Sequence, residues 1–276
     1  MLTRRRFIGQ TIRAAVLISA GNTLQSFLPG TFMLPDRKKI RLRFALASDG
    51  HFGQPKTDFG VTHATMVNWL NQEESSRGLD FSVINGDLFH DLPELLPQVK
   101  NVWDGLKMPY YVSHGNHDKV TEEVWKETFS YPWHHAFDKK DCGFIILNTA
   151  DVTGKYICPD LSYAEAQLKQ FSGKKHLFVF MHITPFKWTD NGIPCPELVS
   201  MFDKQANLKG IFHGHDHDQD GMKENNGKHY FFDAHLGGNW GTPYFGYRIV
   251  EVLKDGSIFT YQMNGATAVQ VNNNTI

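Results

Sequence analysis

Seven side chains able to ligate a metal ion fall in five short clusters along the chain: Asp49 with His51, Asp87, Asn116, His182, and His215 with His217. Together they offer carboxylate oxygens, imidazole nitrogens and one neutral amide oxygen. A donor set of that kind, without thiolate, suits first-row ions such as Mn, Fe or Zn. Asp49 and His51 are two residues apart, as are His215 and His217. In extended backbone such pairs face the same way, so each pair can serve one centre. Asp87 follows Gly86, which lets the chain turn sharply, and its two oxygens can bridge two cations.

An apolar run precedes every cluster, at 44–47, 81–84, 110–112, 177–181 and 210–212. These runs read as strands. Open α/β sheets place their ligands beyond the carboxyl ends of strands, so five strand ends meeting in one crevice would assemble a dinuclear metal centre. Helices are expected between them, at about 61–75, 92–106, 121–129, 162–171 and 197–205. The first shows an apolar stripe of Val61, Ala64, Val67 and Leu70. The fourth opens on a capping box, Ser162 to Glu165. Residues 184–197, with three prolines and Asn191-Gly192, read as a long irregular loop,. Further strands are expected at 144–147, 230–232, 244–252 and 257–263. Helix–strand alternation first and strands later predict two packed sheets with helices outside.

The ordered motifs resemble those of the calcineurin-like metallophosphoesterase superfamily: D-x-H, G-D, G-N-H-D/E, a solitary H, then G-H-x-H. The resemblance runs from about residue 41 to 252. It implies an α/β fold, a four-layer αββα sandwich of two mixed β-sheets flanked by helices, with the dinuclear site at strand C-terminal ends. It also implies that Asp49, His51, Asp87 and His217 hold one ion and that Asp87, Asn116, His182 and His215 hold the other. The cofactors would be two divalent or mixed-valence transition-metal ions. The activity would be hydrolysis of small phosphate esters, diesters ahead of monoesters, by in-line attack of a metal-bridging hydroxide. Asn116 and His117 would contact the substrate, His117 acting on the leaving oxygen, and Asp118 would hydrogen-bond His117. The alternative is an inactive scaffold of the same fold, but relatives of that kind usually lose ligands and all seven are present here. The G-D motif is not followed by the V-D-R-G of protein Ser/Thr phosphatases. The first motif ends in His51 where purple acid phosphatases have glycine. His90 and Asp91, trailing the second motif, can reach the rim, and His134, His135 and His235 are further candidates for substrate contact. His213 lies off the ligand face. Trp133, Trp188 and Trp240 can wall a cleft, and the loop at 184–197 is expected to decide the substrate.

The remaining composition sets limits. The chain has 276 residues and a formal net charge of −1. Four of its positive charges (Arg4, Arg5, Arg6 and Arg13) lie in the first thirty residues with no acid among them, so the remainder is mildly acidic. That balance excludes nucleic acid as the main partner. Residues 3–9 resemble a twin-arginine export motif, followed by an apolar run too short and polar for a comfortable span. The expectation is an exported, periplasmic protein handled by the twin-arginine export machinery, or one tethered by an uncleaved N-terminus or retained in the cytoplasm. The domain plan is 1–36 export segment and linker, 37–264 catalytic domain and 265–276 flexible tail. Of the three cysteines, Cys142 reads as core, while Cys158 and Cys195 can pair in an oxidising compartment.

Overall fold

The computed structural model describes residues 34–276, and the export-like segment at 3–9 lies outside the described residues. Residues Arg37–Ile276 form one compact unit. Among the described residues, twelve strands build two six-stranded mixed sheets. The first has the order β12-β11-β10-β1-β2-β3, with β1 (Ile40–Ala47), β2 (Phe81–Asn85) and β3 (Tyr110–Ser113) parallel, and β10 (Gly246–Leu253), β11 (Ile258–Asn264) and β12 (Val269–Thr275) added antiparallel. The second has the order β4-β5-β6-β7-β9-β8. In it β5 (Cys142–Leu147), β6 (His176–Met181), β7 (Leu208–His213) and β9 (Lys228–Phe232) are parallel, while β4 (His135–Lys139) and β8 (Met222–Asn225) run antiparallel at the edges.

Period-two patterning sorts each strand's side chains into layers. Leu42, Phe44 and Leu46 of β1 enter the core between the sheets, where they meet Phe144 and Ile146 of β5 and Phe178 and Phe180 of β6. Ala45 and Ala47 turn outward to the helices. The inter-sheet core is rich in phenylalanine: Phe44 stacks on Phe81 at 5.0 Å and meets Phe144 edge-on at 5.6 Å. Truncating any one of these buried rings would cost about 3–5 kcal/mol.

Helices α1 (Phe59–Arg77), α2 (Leu96–Trp103) and α3 (Glu122–Phe129) cover the first sheet, and α4 (Leu161–Gln170) and α5 (Pro196–Lys204) the second. This is the expected αββα sandwich. Details differ from expectation. The buried stripe of α1 is His63, Met66, Val67 and Leu70, at true helical spacing, and Val61 is exposed. The cap of α4 is Asp160, which accepts from Tyr163 N at 2.9 Å, rather than Ser162. The tail expected to be loose after 264 is instead β12, paired with β11 from Asn264↔Val269 to Phe259↔Thr275. Its run of asparagines hides the strand from a hydropathy reading, because an edge strand can be held by backbone hydrogen bonds while its side chains stay wet. No helix among the described residues is long and apolar enough to cross a membrane.

Candidate dinuclear metal centre

The parallel registers decide which residues meet. Ala47 pairs with Ile84 in β1–β2, and just beyond, Asp49 N donates to Gly86 O at 3.1 Å and Gly50 N to Asp87 O at 2.9 Å. Asn85 pairs with Ser113 in β2–β3, bringing the 115–118 turn alongside. In the second sheet Phe180 pairs with Phe212, and Gly214 N donates to His182 O at 3.1 Å. Five loops leaving β1, β2, β3, β6 and β7 therefore share one crevice.

The donors meet there in two groups, Asp49/His51/His217 and Asp87/His182/His215, each with its ligand atoms within 4.8 Å of one another. His217 Nε2 lies 3.2 Å from Asp49 Oδ1 and 3.0 Å from His51 Nε2. Asp87 Oδ2 lies 3.6 Å from His51 Nε2 and 3.3 Å from His182 Nε2, so one carboxylate oxygen faces both groups. All seven predicted donors are buried. Hydrogen bonds on the far side select the tautomers. His182 Nδ1 donates to Asn85 O at 2.7 Å and His217 Nδ1 to Trp240 O at 3.1 Å, leaving each Nε2 turned inward.

Backbone and glycine geometry fit the same purpose. Asp49, His51, Asp87 and His215 all take left-handed conformations, with φ of 59°, 48°, 53° and 67°. Such strain in non-glycine residues persists only where surrounding structure enforces it. Gly86 has φ 86°, and a Cβ there would fall 2.3 Å from His182 Nδ1. At Gly115 a Cβ would fall 2.2 Å from Asp87 N and 2.3 Å from Asp87 Oδ1. Neither position has room for a side chain.

The residues fit a pair of metal ions. Asn116 Oδ1, His182 Nε2 and His215 Nε2 are buried without a hydrogen-bond partner, and such orphaned atoms are costly unless something binds them. Burial pushes Asp49 and Asp87 up most strongly, but the surrounding imidazoles together (His217 and His182 at Asp49; His182, His51 and His117 at Asp87) hold both below the usual carboxylate range. Burial lowers His182, yet Asp87 and Asp49 win and push it up to about 10. Burial dominates at His51 and His215, which fall to about 3 and about 4. The crevice is thus built around buried negative charge that calls for a cation.

His117 lies against this centre, its ring 4.8 Å from that of His51 and its N–H donating to Asp87 Oδ1 at 2.8 Å. Its partner is not Asp118. The Asp118 carboxylate is fully buried and accepts from Phe89 N at 3.1 Å and Gly115 N at 2.9 Å, bracing the turn. A carboxylate one residue along points to the opposite side of a tight turn, so adjacency in sequence misleads. Asp91, four residues beyond Asp87 and itself left-handed at φ 65°, accepts from His117 Nδ1 at 3.0 Å. Lys119 Nζ lies 2.8 Å from the same oxygen. Burial raises Asp91, but Lys119 and His117 prevail and lower it. His90 stacks on His117 at 4.7 Å, and its Nδ1 meets His51 Nδ1 at 3.1 Å.

Other candidates separate cleanly. His135 is buried, stacked on Tyr131 at 3.9 Å, and His134 Nδ1 accepts from Asn148 N at 3.1 Å, so both serve packing. His213 donates to Met181 O at 3.0 Å and faces Tyr230. His235 stacks on His217 at 5.2 Å and reaches the centre from behind. Trp133 packs on His114 and Trp188 on Phe186, away from the donors. Trp240 alone of the three joins them, parallel to His217 at 4.1 Å. The loop at 184–197 is tied down by a Cys158–Cys195 disulfide (Cα–Cα 5.8 Å). Its Asn191 Nδ2 donates to Asp216 Oδ1 at 3.1 Å, between His215 and His217, while the cavity beside the centre is lined by Trp69, His235, residues 238–245, Asn264 and Ala266. Nothing in the composition of that glycine-rich stretch marks it beforehand; Trp240 within it is the one usable signal.

A family model described as calcineurin-like phosphoesterase matches residues 42–219. No curated protein matches the chain. Among solved structures, a dimetal phosphatase from Danio rerio is similar with a TM-score of 0.66 at 12% identity, covering 86% of this chain and 99% of that one. A purple acid phosphatase from yellow lupin (Lupinus luteus) seeds gives 0.65 at 13%, covering 85% of this chain and 53% of that one. The anchor protein of the inner membrane complex of Plasmodium gives 0.63 at 15%, covering 86% and 89%. At such identities the likeness is one of fold.

Proposed function

The chain belongs to the calcineurin-like phosphoesterase family, and on that premise we propose that this dinuclear metal-dependent phosphoesterase acts on small phosphate esters, diesters ahead of monoesters. The observation that carries the reading is the convergence of buried, unpartnered donor atoms on one crevice. Asp49, His51, Asp87 and His217 would hold one ion and Asp87, Asn116, His182 and His215 the other. When bound, such a pair acidifies water towards neutral pH and polarises phosphoryl oxygens.

The chain's own residues supply the rest. Asp91 fixes the His117 ring through Nδ1, which leaves Nε2 for the leaving oxygen and stabilises the ring when it carries a proton. Asn116, with its Oδ1 buried and unpaired, orients both ion and substrate. The diester preference is supported by the scarcity of fixed positive charge: beside the donors stands Lys119, itself paired with Asp91. A diester monoanion demands less neutralisation than a monoester dianion. Export as a folded, loaded protein is supported by the arginine cluster at 4–6 and by the disulfide, since such bonds persist in oxidising compartments,.

The test is turnover of bis-p-nitrophenyl phosphate and p-nitrophenyl phosphate by the purified chain loaded with Mn, Fe or Zn. A higher kcat/KM on the diester, abolished by a chelator and restored by metal, is the expected result. Equal or better use of the monoester would remove the diester claim. Failure on both with every metal would remove the catalytic one.

A further inference from the structure

We propose that the cavity beside His217 receives the alcohol side of the ester and selects an uncharged, flat aromatic group there; this inference rests on the phosphoesterase reading above. The cavity has a volume of about 550 Å³ and is walled by Trp69, Trp240, Tyr244, Phe245, Asn239 and His235. That volume lies within the range of small-molecule sites and admits a bicyclic ring with its linker.

Its position ties it to the metal centre. Gly238 is part of the wall, and a Cβ there would lie 3.3 Å from His217 Cε1 and 3.4 Å from His51 Cδ2. Trp240 lies parallel to the His217 ring at 4.1 Å with an interplanar angle of 4°, and its carbonyl accepts from His217 Nδ1. One face of the indole is therefore spent on a proposed ligand, yet the residue remains 48% exposed. A group esterified to phosphorus at the donors would meet the cavity wall directly.

Its chemistry limits what can enter. Among the lining residues none carries a fixed charge. The obvious hydroxyls are engaged: Tyr244 donates to Asp220, and Thr242 donates to Tyr244 O at 2.9 Å. Asn264 Oδ1 accepts from Ala266 N at 3.1 Å. A second phosphate or an ammonium would be desolvated there without a partner. A neutral ring gains stacking and apolar burial against Trp69, Trp240 and Phe245. Charge sits instead on the other flank of His51, where His117, Asp91 and Lys119 meet.

The test compares 2-(2-naphthyl)ethyl phosphate with ethyl phosphate, each as monoester and as methyl diester, on the metal-loaded full chain. The leaving alcohols have similar basicity, so the chemistry is held constant and the side group varies. Wild type should favour the naphthyl ester by roughly tenfold or more in kcat/KM, the scale of one ring stacked on aromatic side chains. Ala266→Trp, which fills part of the cavity from an exposed position on its wall, should bring that ratio near one by lowering kcat/KM for the naphthyl ester, with the bound metal content as in wild type. Trp240→Ala should lower the ratio through KM. Equal use of the two esters by wild type, or a preference that survives Ala266→Trp, overturns the proposal. Should neither ester turn over, titration with naphthylethyl phosphonate and ethylphosphonate still separates the cases. Tighter binding of the former upholds the cavity while the catalytic reading falls, and equal binding removes both.

Discussion

Replacing Asp91 with asparagine removes one negative charge from the side of His117 while keeping the shape and an accepting oxygen. The contact is 3.0 Å from carboxylate to Nδ1, and Lys119 Nζ sits 2.8 Å from the same oxygen. A hydrogen bond to a charged group is worth about 1.5–3 kcal/mol. Asp91 is 37% exposed and shares its charge with Lys119, so solvent screening brings the expected loss to about 1–2 kcal/mol in a transition state where His117 carries a proton. That converts to roughly a 5- to 30-fold fall in kcat. Metal content and melting temperature should stay at wild-type values, because Asp91 touches no proposed ligand atom and is not in the core. The control is Asp118→Ala, which strips two buried backbone N–H groups of their acceptor. At about 1–3 kcal/mol for each unsatisfied group, it should lower the melting temperature by several degrees. Steady-state kinetics with metal analysis and thermal melts of both variants decide the matter. If Asp91→Asn keeps full kcat while Asp118→Ala loses kcat without loss of stability, the pairing argued from the structure is wrong.

Three further outcomes follow from the geometry. Gly115→Ala puts a methyl 2.2 Å from Asp87 N and 2.3 Å from Asp87 Oδ1; it should displace the shared carboxylate, release metal and cut kcat about 100-fold or more, measured by metal content and rate together. Removing the Cys158–Cys195 link, whose ends are 37 residues apart, should destabilise the protein by about 3–4 kcal/mol from loop entropy, read as a lower denaturant midpoint in Cys158→Ala/Cys195→Ala or under reductant. His135 is held neutral by burial, its pKa lowered from 6.5 to about 3. The unfolded chain therefore binds the extra proton first, so stability present above pH 6.5 is lost as pH falls towards 3. The slope from this group approaches about 1.4 kcal/mol per pH unit. His135→Phe, which keeps the ring stacked on Tyr131, should flatten the wild-type curve of unfolding free energy between pH 6 and 4.

What the amino-acid order determined was the donor set and the inner strands. Asp49, His51, Asp87, Asn116, His182, His215 and His217 could be named because each follows an apolar run, and buried parallel strands must be apolar on both faces. The strands that escaped notice are β4, β8 and β12, all at sheet edges. Edge strands are held by backbone bonds and shed the hydrophobic pattern, so nothing in His135–Lys139, Met222–Asn225 or Val269–Thr275 marks them.

Only the tertiary structure decided which carboxylate serves His117, which ring backs His217 and where the cavity opens. Those choices depend on left-handed turns at Asp87 and Asp91 and on a glycine-rich loop at 237–245 packed against the turns that carry His51 and His217. A turn of that kind reverses side-chain direction over one or two residues, so neighbours in the chain part company and distant residues meet. Ligand identity is written in residue type, which sequence carries directly. Orientation is set by backbone torsions and by packing against remote strands, and no local stretch of sequence contains them.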